Sequence, residues 1–169
     1  MTRELFILRH AKSDWGVDFF ADSERHLSSR GQQDAPRMGR FMRENNLLPE
    51  QVNCSTATRA RETLEGVNTE LGLDSNHIQY VSGLYLASLS TLLSNLSNLD
   101  SSITSLMLVG HNPGLDELVS YLSKTMPPLT DNGKLMTTCC LAHFKMPGDW
   151  TENLQHQAEL ISITRPADI

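Results

Sequence analysis

Two segments, LFIL at residues 5–8 and SLMLVG at residues 105–110, are apolar at nearly every position. A strand with one wet face alternates apolar and polar residues, because successive side chains point to opposite sides. Unbroken apolar character calls for cover on both faces, as in a parallel sheet flanked by helices. The first strand is therefore expected over Leu5–Leu8 and the strongest later one over residues 105–110.

The intervening chain supplies the helices. LSSRGQQDAPRMGRFMREN predicts one, with Ser28 or Ser29 as N-cap and Ser29 to Gln32 at capping-box spacing. Ala35, Met38, Phe41 and Met42 share a face, and Pro36 requires a late start or a bend. VNCS (52–55) predicts a second strand, and a helix follows from Thr58 with Ala60, Leu64, Val67 and Leu71 on one side. HIQYV predicts a third strand, and Leu86, Leu89, Leu93 and Leu96 a third helix. HNPGLDELVSYL opens a helix with Asn112 at the cap and Pro113 at its first position. Residues 16–27 and TMPPLTDNGK read as loops. TTCCLAHF and AELISIT are the last strands, with KMPGDW as turn chemistry between them. The expected architecture is a three-layer α/β/α fold with a six-stranded, mainly parallel mixed sheet. The last two strands have no helix between them, so an antiparallel pairing is expected near an edge. Neither an internal repeat nor a low-complexity linker interrupts the order, which predicts one domain over residues 1–169.

That length can bury most of the surface an unfolded chain exposes. With 39% hydrophobic and 20% charged residues, the composition is that of a globular protein rather than a disordered one. The net charge of -6 argues against broad binding to nucleic acid or to an anionic membrane, though it does not exclude a small cationic pocket. Three cysteines, Cys54, Cys139 and Cys140, without a C-x-x-C fit neither a disulfide framework nor a zinc site. Cys139 and Cys140 are neighbours in an expected strand and would face opposite ways. All three read as buried thiols of a reducing compartment. MTRELFILRHAK lacks the long apolar run of a signal peptide, and no stretch approaches the roughly 20 apolar residues of a membrane span. A cytoplasmic location is expected.

In open α/β sheets, ligands collect at the carboxyl ends of the strands. Those ends are unevenly equipped here. The first strand ends in Arg9-His10, the second runs into STATRARET with Arg59 and Arg61, and the fourth ends in Gly110-His111-Asn112. Arg59 opens a helix, where a cation is unfavourable unless an anion lies beside it. Free backbone N–H groups at such turns also favour anions. His10 and His111 are joined by no carboxylate or cysteine at ligand spacing, and arginines repel cations, so no metal is expected. The charge favours a phosphoryl group. Guanidinium forks match its oxygens, and a neutral histidine nitrogen can attack phosphorus.

LRHAKSDW, ERHLSSRG, STATRARET and VGHNPGLDELVSYL, in that order, resemble the histidine phosphatase superfamily (phosphoglycerate mutase-like), and most of all its small SixA-type phosphohistidine phosphatases. The resemblance implies that His10 is the nucleophile and transiently carries the phosphoryl group. It implies that Arg9 and Arg59 hold the phosphoryl oxygens and that His111 completes the catalytic set. Ser13 and Asn112 are implied as substrate-binding helpers, and Lys12 as a group that steers an acidic partner. The implied substrate is a phosphorylated protein, such as a histidine-containing phosphotransfer domain, and no cofactor is implied.

The chain departs from the family where many members carry a carboxylic general acid. Asn112 follows His111, and SGLYLAS after the third strand holds no carboxylate. An ester wants that proton for its alkoxide, whereas the imidazole of a phosphohistidine leaves more readily. The gap tilts the reading toward a P–N substrate, with small phosphate esters, other phosphoramidates and a non-catalytic phosphoprotein-binding module as alternatives. Asp14 and Asp22 remain candidate donors. The stretch between Tyr80 and Met107 is taken up by one helix and leaves little chain for a lid.

Overall fold

The apolar segments form adjacent central strands, β1 (Arg3–Arg9) and β4 (Ser105–Gly110), paired in parallel from Glu4 opposite Ser105 to Arg9 opposite Gly110. A computed structural model describes residues 2–16, 21–151 and 153–169. Part of the loop expected over 16–27 thus lies outside the described residues. The remaining strands are β2 (Gln51–Ser55), β3 (Ile78–Val81), β5 (Leu141–Met146) and β6 (Glu159–Thr164), in a six-stranded sheet ordered β3-β2-β4-β1-β5-β6. Among these six strands β5 alone points the opposite way, antiparallel to both β1 and β6.

The helices are α1 (Ser29–Glu44), α2 (Thr58–Leu71), α3 (Leu89–Ser97) and α4 (Gly114–Leu122). Alternation along the central strands divides the core between the two faces. Phe6, Leu8, Met107 and Val109 pack with α1 and α2; Leu5, Ile7, Leu106 and Leu108 pack with α3, α4 and Trp150. This is the expected three-layer α/β/α arrangement, and it accounts for the unbroken apolar runs. Among the described residues no helix is long and apolar enough to cross a membrane.

Local readings needed four corrections. Helix α1 starts at Ser29, so Pro36 lies in its interior rather than after a late start. A proline there removes the hydrogen bond to the Gln32 carbonyl, at a cost of about 3 kcal/mol. The same stretch of α1 packs closely on α2. A Cβ at Gly66 would lie 2.7 Å from Ala35 Cβ and 3.3 Å from Pro36 Cδ, and one at Gly39 would lie 2.3 Å from the Val67 carbonyl oxygen. Leu86 precedes α3 with φ +46 and is exposed, so the third helix is shorter than its leucine spacing indicates. Pro113 rather than Asn112 stands at the N-cap of α4, after a cis peptide bond. Cys139 has φ +59, which no strand accommodates, and β5 begins at Leu141 with both cysteines ahead of it. The cysteines are nevertheless buried and free, as is Cys54.

Parallel pairing brings the carboxyl ends of β1, β2 and β4 to one edge of the sheet. Because β5 is antiparallel, its start comes to the same edge. The Arg9 amide donates to the Cys140 carbonyl at 3.1 Å, and the Cys139 amide to the His10 carbonyl at 3.1 Å.

Candidate active site

His10 follows the last residue of β1 and is held by backbone on both sides. Its amide donates to the Gly110 carbonyl at 3.1 Å. The next amide, of Ala11, donates to Thr63 Oγ1 on α2 at 2.8 Å. Ser28, the N-cap of α1, accepts from the Gly31 amide and donates its hydroxyl to the Lys12 carbonyl at 3.0 Å. Gly31 permits that contact, since a Cβ there would lie 2.2 Å from the Lys12 oxygen. The loop carrying the histidine is thus fastened to two helices.

The His10 ring is buried, and its Nδ1 lies 2.8 Å from the Ala11 carbonyl oxygen. A carbonyl can only accept, so Nδ1 carries the proton and Nε2 keeps its lone pair. Burial lowers the His10 pKa to about 3, with His111, Arg59 and Arg9 adding in the same direction. The ring is therefore neutral at pH 7.

Three arginines, together with Lys12, Ser13, Trp15, Asp22, Leu86, Asn112 and Thr138, surround His10 in a cavity of about 300 Å³. Arg9 donates through Nη1 to the Met136 carbonyl at 2.9 Å. Arg59, in the first turn of α2, donates Nη1 to the Asp22 carbonyl at 2.8 Å and Nη2 to Asp22 Oδ2 at 2.9 Å. Arg25 donates to Ser13 Oγ and, at 3.0 Å, to Asp22 Oδ1, with its guanidinium 3.6 Å over the Trp15 ring. The buried Nε donors of Arg9, Arg25 and Arg59 have no partner among the described residues. Orphaned cationic donors around a polar cavity suit an oxyanion.

Asp22 does reach the cavity, but as an acceptor. The Tyr85 hydroxyl, first, and then the two arginines hold its carboxyl well below the usual carboxylate range. A carboxylate held in that state has no proton to give near neutral pH. Asp14 accepts from the Gly16 amide at 2.8 Å and does not line the cavity.

His111 is buried beside the nucleophile candidate, with ring centroids 5.2 Å apart, but the described cavity lining does not include it. Its Nε2 lies 2.7 Å from Ser55 Oγ, and its buried Nδ1 has no partner among the described residues. Burial lowers its pKa to about 4, with Arg59 the next cause in that direction. Tyr85 meets the ring edge-on at 5.5 Å. Asn112 donates to the Met136 carbonyl at 3.0 Å and accepts from the Asp116 amide at 3.1 Å. It therefore links β4, α4 and the segment before β5 at the cavity wall.

Arg9, His10, Ser13, Arg59 and Asn112 thus line one cavity, with His111 against it. Arg61 does not join them; it is exposed and stacks over Tyr80 at 4.6 Å. Arg25, Tyr85 and Ser55 were not singled out from sequence. Arg25 lies in a loop of mixed charge, and Tyr85 in a segment without a carboxylate. Among the described residues no group of three His, Cys, Asp or Glu side chains could hold a metal ion.

The sequence and the fold both have counterparts. The model of the histidine phosphatase superfamily (branch 1) matches residues 5–84. An uncharacterized protein of Mycobacterium leprae (strain TN) is 30% identical over 165 residues, which cover 94% of this chain and 99% of that protein. A Mycobacterium tuberculosis (strain ATCC 25618 / H37Rv) protein is 32% identical over 149 residues, covering 86% and 90%. The chain belongs to the histidine phosphatase superfamily. Within it, the fold is that of the SixA-type members. The protein histidine phosphatase SixA complexed with tungstate superposes with a TM-score of 0.80 at 23% identity, over 98% of each chain. A candidate phosphohistidine phosphatase SixA from Agrobacterium tumefaciens gives 0.78 at 25% identity, over 97% of this chain and 98% of that one.

Proposed function

We propose that the chain is a phosphohistidine phosphatase, one domain over residues 1–169, that acts on a protein phosphohistidine without a metal. The observation that carries this reading is the state of the cavity. It combines a neutral His10 with a free Nε2 lone pair, three arginines and one lining carboxylate that is ionised and engaged. Such a site can attack and stabilise a phosphoryl group, while the carboxylate described there holds no proton to give to an alkoxide.

His10 Nε2 attacks phosphorus, and the P–N bond to the substrate imidazole breaks, leaving that imidazole to take its proton from solvent. Water then attacks the phosphoryl group on His10. A P–O bond forms, the P–Nε2 bond breaks, the water proton passes to solvent, and orthophosphate departs. Splitting the hydrolysis avoids a direct attack of water on the substrate. Arg9 and Arg59 hold the phosphoryl oxygens through both steps, His111 donates to one of them, and Ser13 and Asn112 support the wall. Transfer of this kind needs positioning and positive field more than covalent assistance. The tungstate in the SixA complex is an oxyanion of similar shape, which supports the assignment of an anion to this cavity.

A histidine-containing phosphotransfer domain is the kind of partner that presents such a group at an exposed surface. No nucleic acid or membrane is part of the reading, and the free thiols suit a cytoplasmic location. The deciding experiment compares kcat/KM for a phosphohistidine protein with that for simple phosphate esters. A preference of at least about a hundredfold for the P–N substrate is expected, since the missing acid is worth about 10²–10⁴ to an ester. Equal rates would replace this reading by a general phosphate-ester phosphatase, and binding without phosphate release by a phosphoprotein-binding module.

A further inference from the structure

We propose that Ser55 is a positioning residue that fixes the tautomer of His111. Its hydroxyl donates to Nε2, so the ring carries its proton on Nδ1 and acts as a hydrogen-bond donor while neutral. The catalytic part of this inference rests on the proposed role of His111 toward the phosphoryl group; the tautomer itself does not.

Ser55 ends β2 and is fully buried. Its Oγ lies 3.2 Å from the Ala57 amide, which can only donate, and 2.7 Å from His111 Nε2. Two arrangements satisfy that second contact. If Nε2 carried the proton, Ser55 Oγ would accept from both the amide and the ring. Its own hydroxyl proton and the Nδ1 lone pair would then both lack a partner in the described contacts. If the hydroxyl donates to Nε2, the serine is satisfied in both directions, and one orphan remains, the Nδ1 proton. Buried polar groups left unpaired are costly, so the second arrangement is preferred. Its single orphan is a buried donor on the ring next to His10.

Donor character matters because of the surroundings. His111 is kept neutral by burial and by Arg59, so it cannot donate from both nitrogens as an imidazolium would. A neutral ring donates from one nitrogen only, and with the wrong tautomer it would turn a lone pair toward an anion. The bond that the second nitrogen makes decides which form is present. The β2 strand end thus contributes to the chemistry through a residue with no exposed surface.

The test records the long-range ¹H–¹⁵N correlation of the histidine rings in the free, full-length protein at pH 7. His111 is assigned by comparison with His111→Gln. The wild-type ring is expected to carry its proton on Nδ1. In Ser55→Ala the pattern should shift toward the Nε2–H form, and in Ser55→Thr, which keeps a hydroxyl, it should be retained. Alongside, Ser55→Ala should lower kcat about 10–100-fold, below the effect of removing a complete oxyanion donor. KM should change by less than about threefold, and Ser55→Thr should recover most of the loss. Proton on Nε2 in the wild type overturns the proposal without reference to any variant. So does an unchanged tautomer in Ser55→Ala, or a shifted tautomer with kcat intact. Should no phosphorylated substrate turn over at all, the proposed function fails, and the spectra still decide the role of Ser55.

Discussion

Two adjacent histidines, both neutral and both buried, make the site pH-sensitive in a direction that can be worked out. The pKa of His10 is lowered to about 3 and that of His111 to about 4, against roughly 6.5 for a free imidazole. Between those values the unfolded chain binds protons that the folded one refuses. Stability from this source is therefore present above about pH 6.5 and is lost progressively as the pH falls from there toward 3. The melting temperature of the anion-free protein should drop over that window, and His10→Ala should flatten the drop; a flat wild-type profile would contradict the assignment of both rings as neutral. Asp22 gives a second prediction. Its carboxylate accepts from Arg25 and Arg59 in the free cavity. Asp22→Asn should lower the melting temperature, and saturating phosphate should restore more of it in the variant than in the wild type, since a bound anion replaces the lost charge. Equal phosphate shifts would argue against a shared set of arginine donors. The convergence of these side chains is legible from strand ends alone, since Arg9 closes β1 and His10, Arg59 and His111 follow the ends of parallel strands. Arg25, Tyr85 and Ser55 are not, because their roles depend on side chains that meet only in three dimensions. A tyrosine hydroxyl reaching a carboxylate |i−j| = 63 away leaves no local pattern.

At the level of elements, the packing of α1 on α2 rests on close approaches that glycine allows. A Cβ at Gly39 would lie 2.3 Å from a backbone oxygen, which cannot swing aside as a side chain does. Gly39→Ala should destabilise the chain by about 1–3 kcal/mol, read as a fall of roughly 2–4 °C in melting temperature per kcal/mol at this length. Gly72→Ala addresses a different property, because nothing lies within 4 Å there and only its φ of +67 opposes the side chain. It should cost less, about 1 kcal/mol. A smaller effect at Gly39 than at Gly72 would refute the close-packing account. Element boundaries show what sequence periodicity can carry. Every expected strand and helix exists, because apolar spacing records which faces are buried. The errors fall at Pro36, Leu86, Asn112-Pro113 and Cys139-Cys140. In each case tertiary packing or a positive φ overrides local preference, which spacing does not encode.

For the molecule as a whole, charge is distributed against its own average. The chain is acidic, at -6, yet the cavity wall holds Arg9, Lys12, Arg25 and Arg59 against Asp22. Guanidinium groups, whose charge no working pH removes, thus supply a positive field at the cavity wall. Phosphatase activity should be unchanged after exhaustive chelation, and a loss restored by added divalent metal would contradict the arginine account.

The antiparallel placement of β5 has a consequence for how the protein comes together in time. It brings Met136 and Thr138 to a cavity whose other parts come from β1, the loop before α1, the β2–α2 turn and the β4–α4 turn. The cavity is consequently assembled from segments spread between Arg9 and Thr138. Contacts this remote in sequence are slow to form, because loop closure must precede any reward. A nascent or truncated chain ending before Met136 would hold both histidines and still lack the carbonyl that orients Arg9 and Asn112. The cavity would then be completed only after most of the chain has been made.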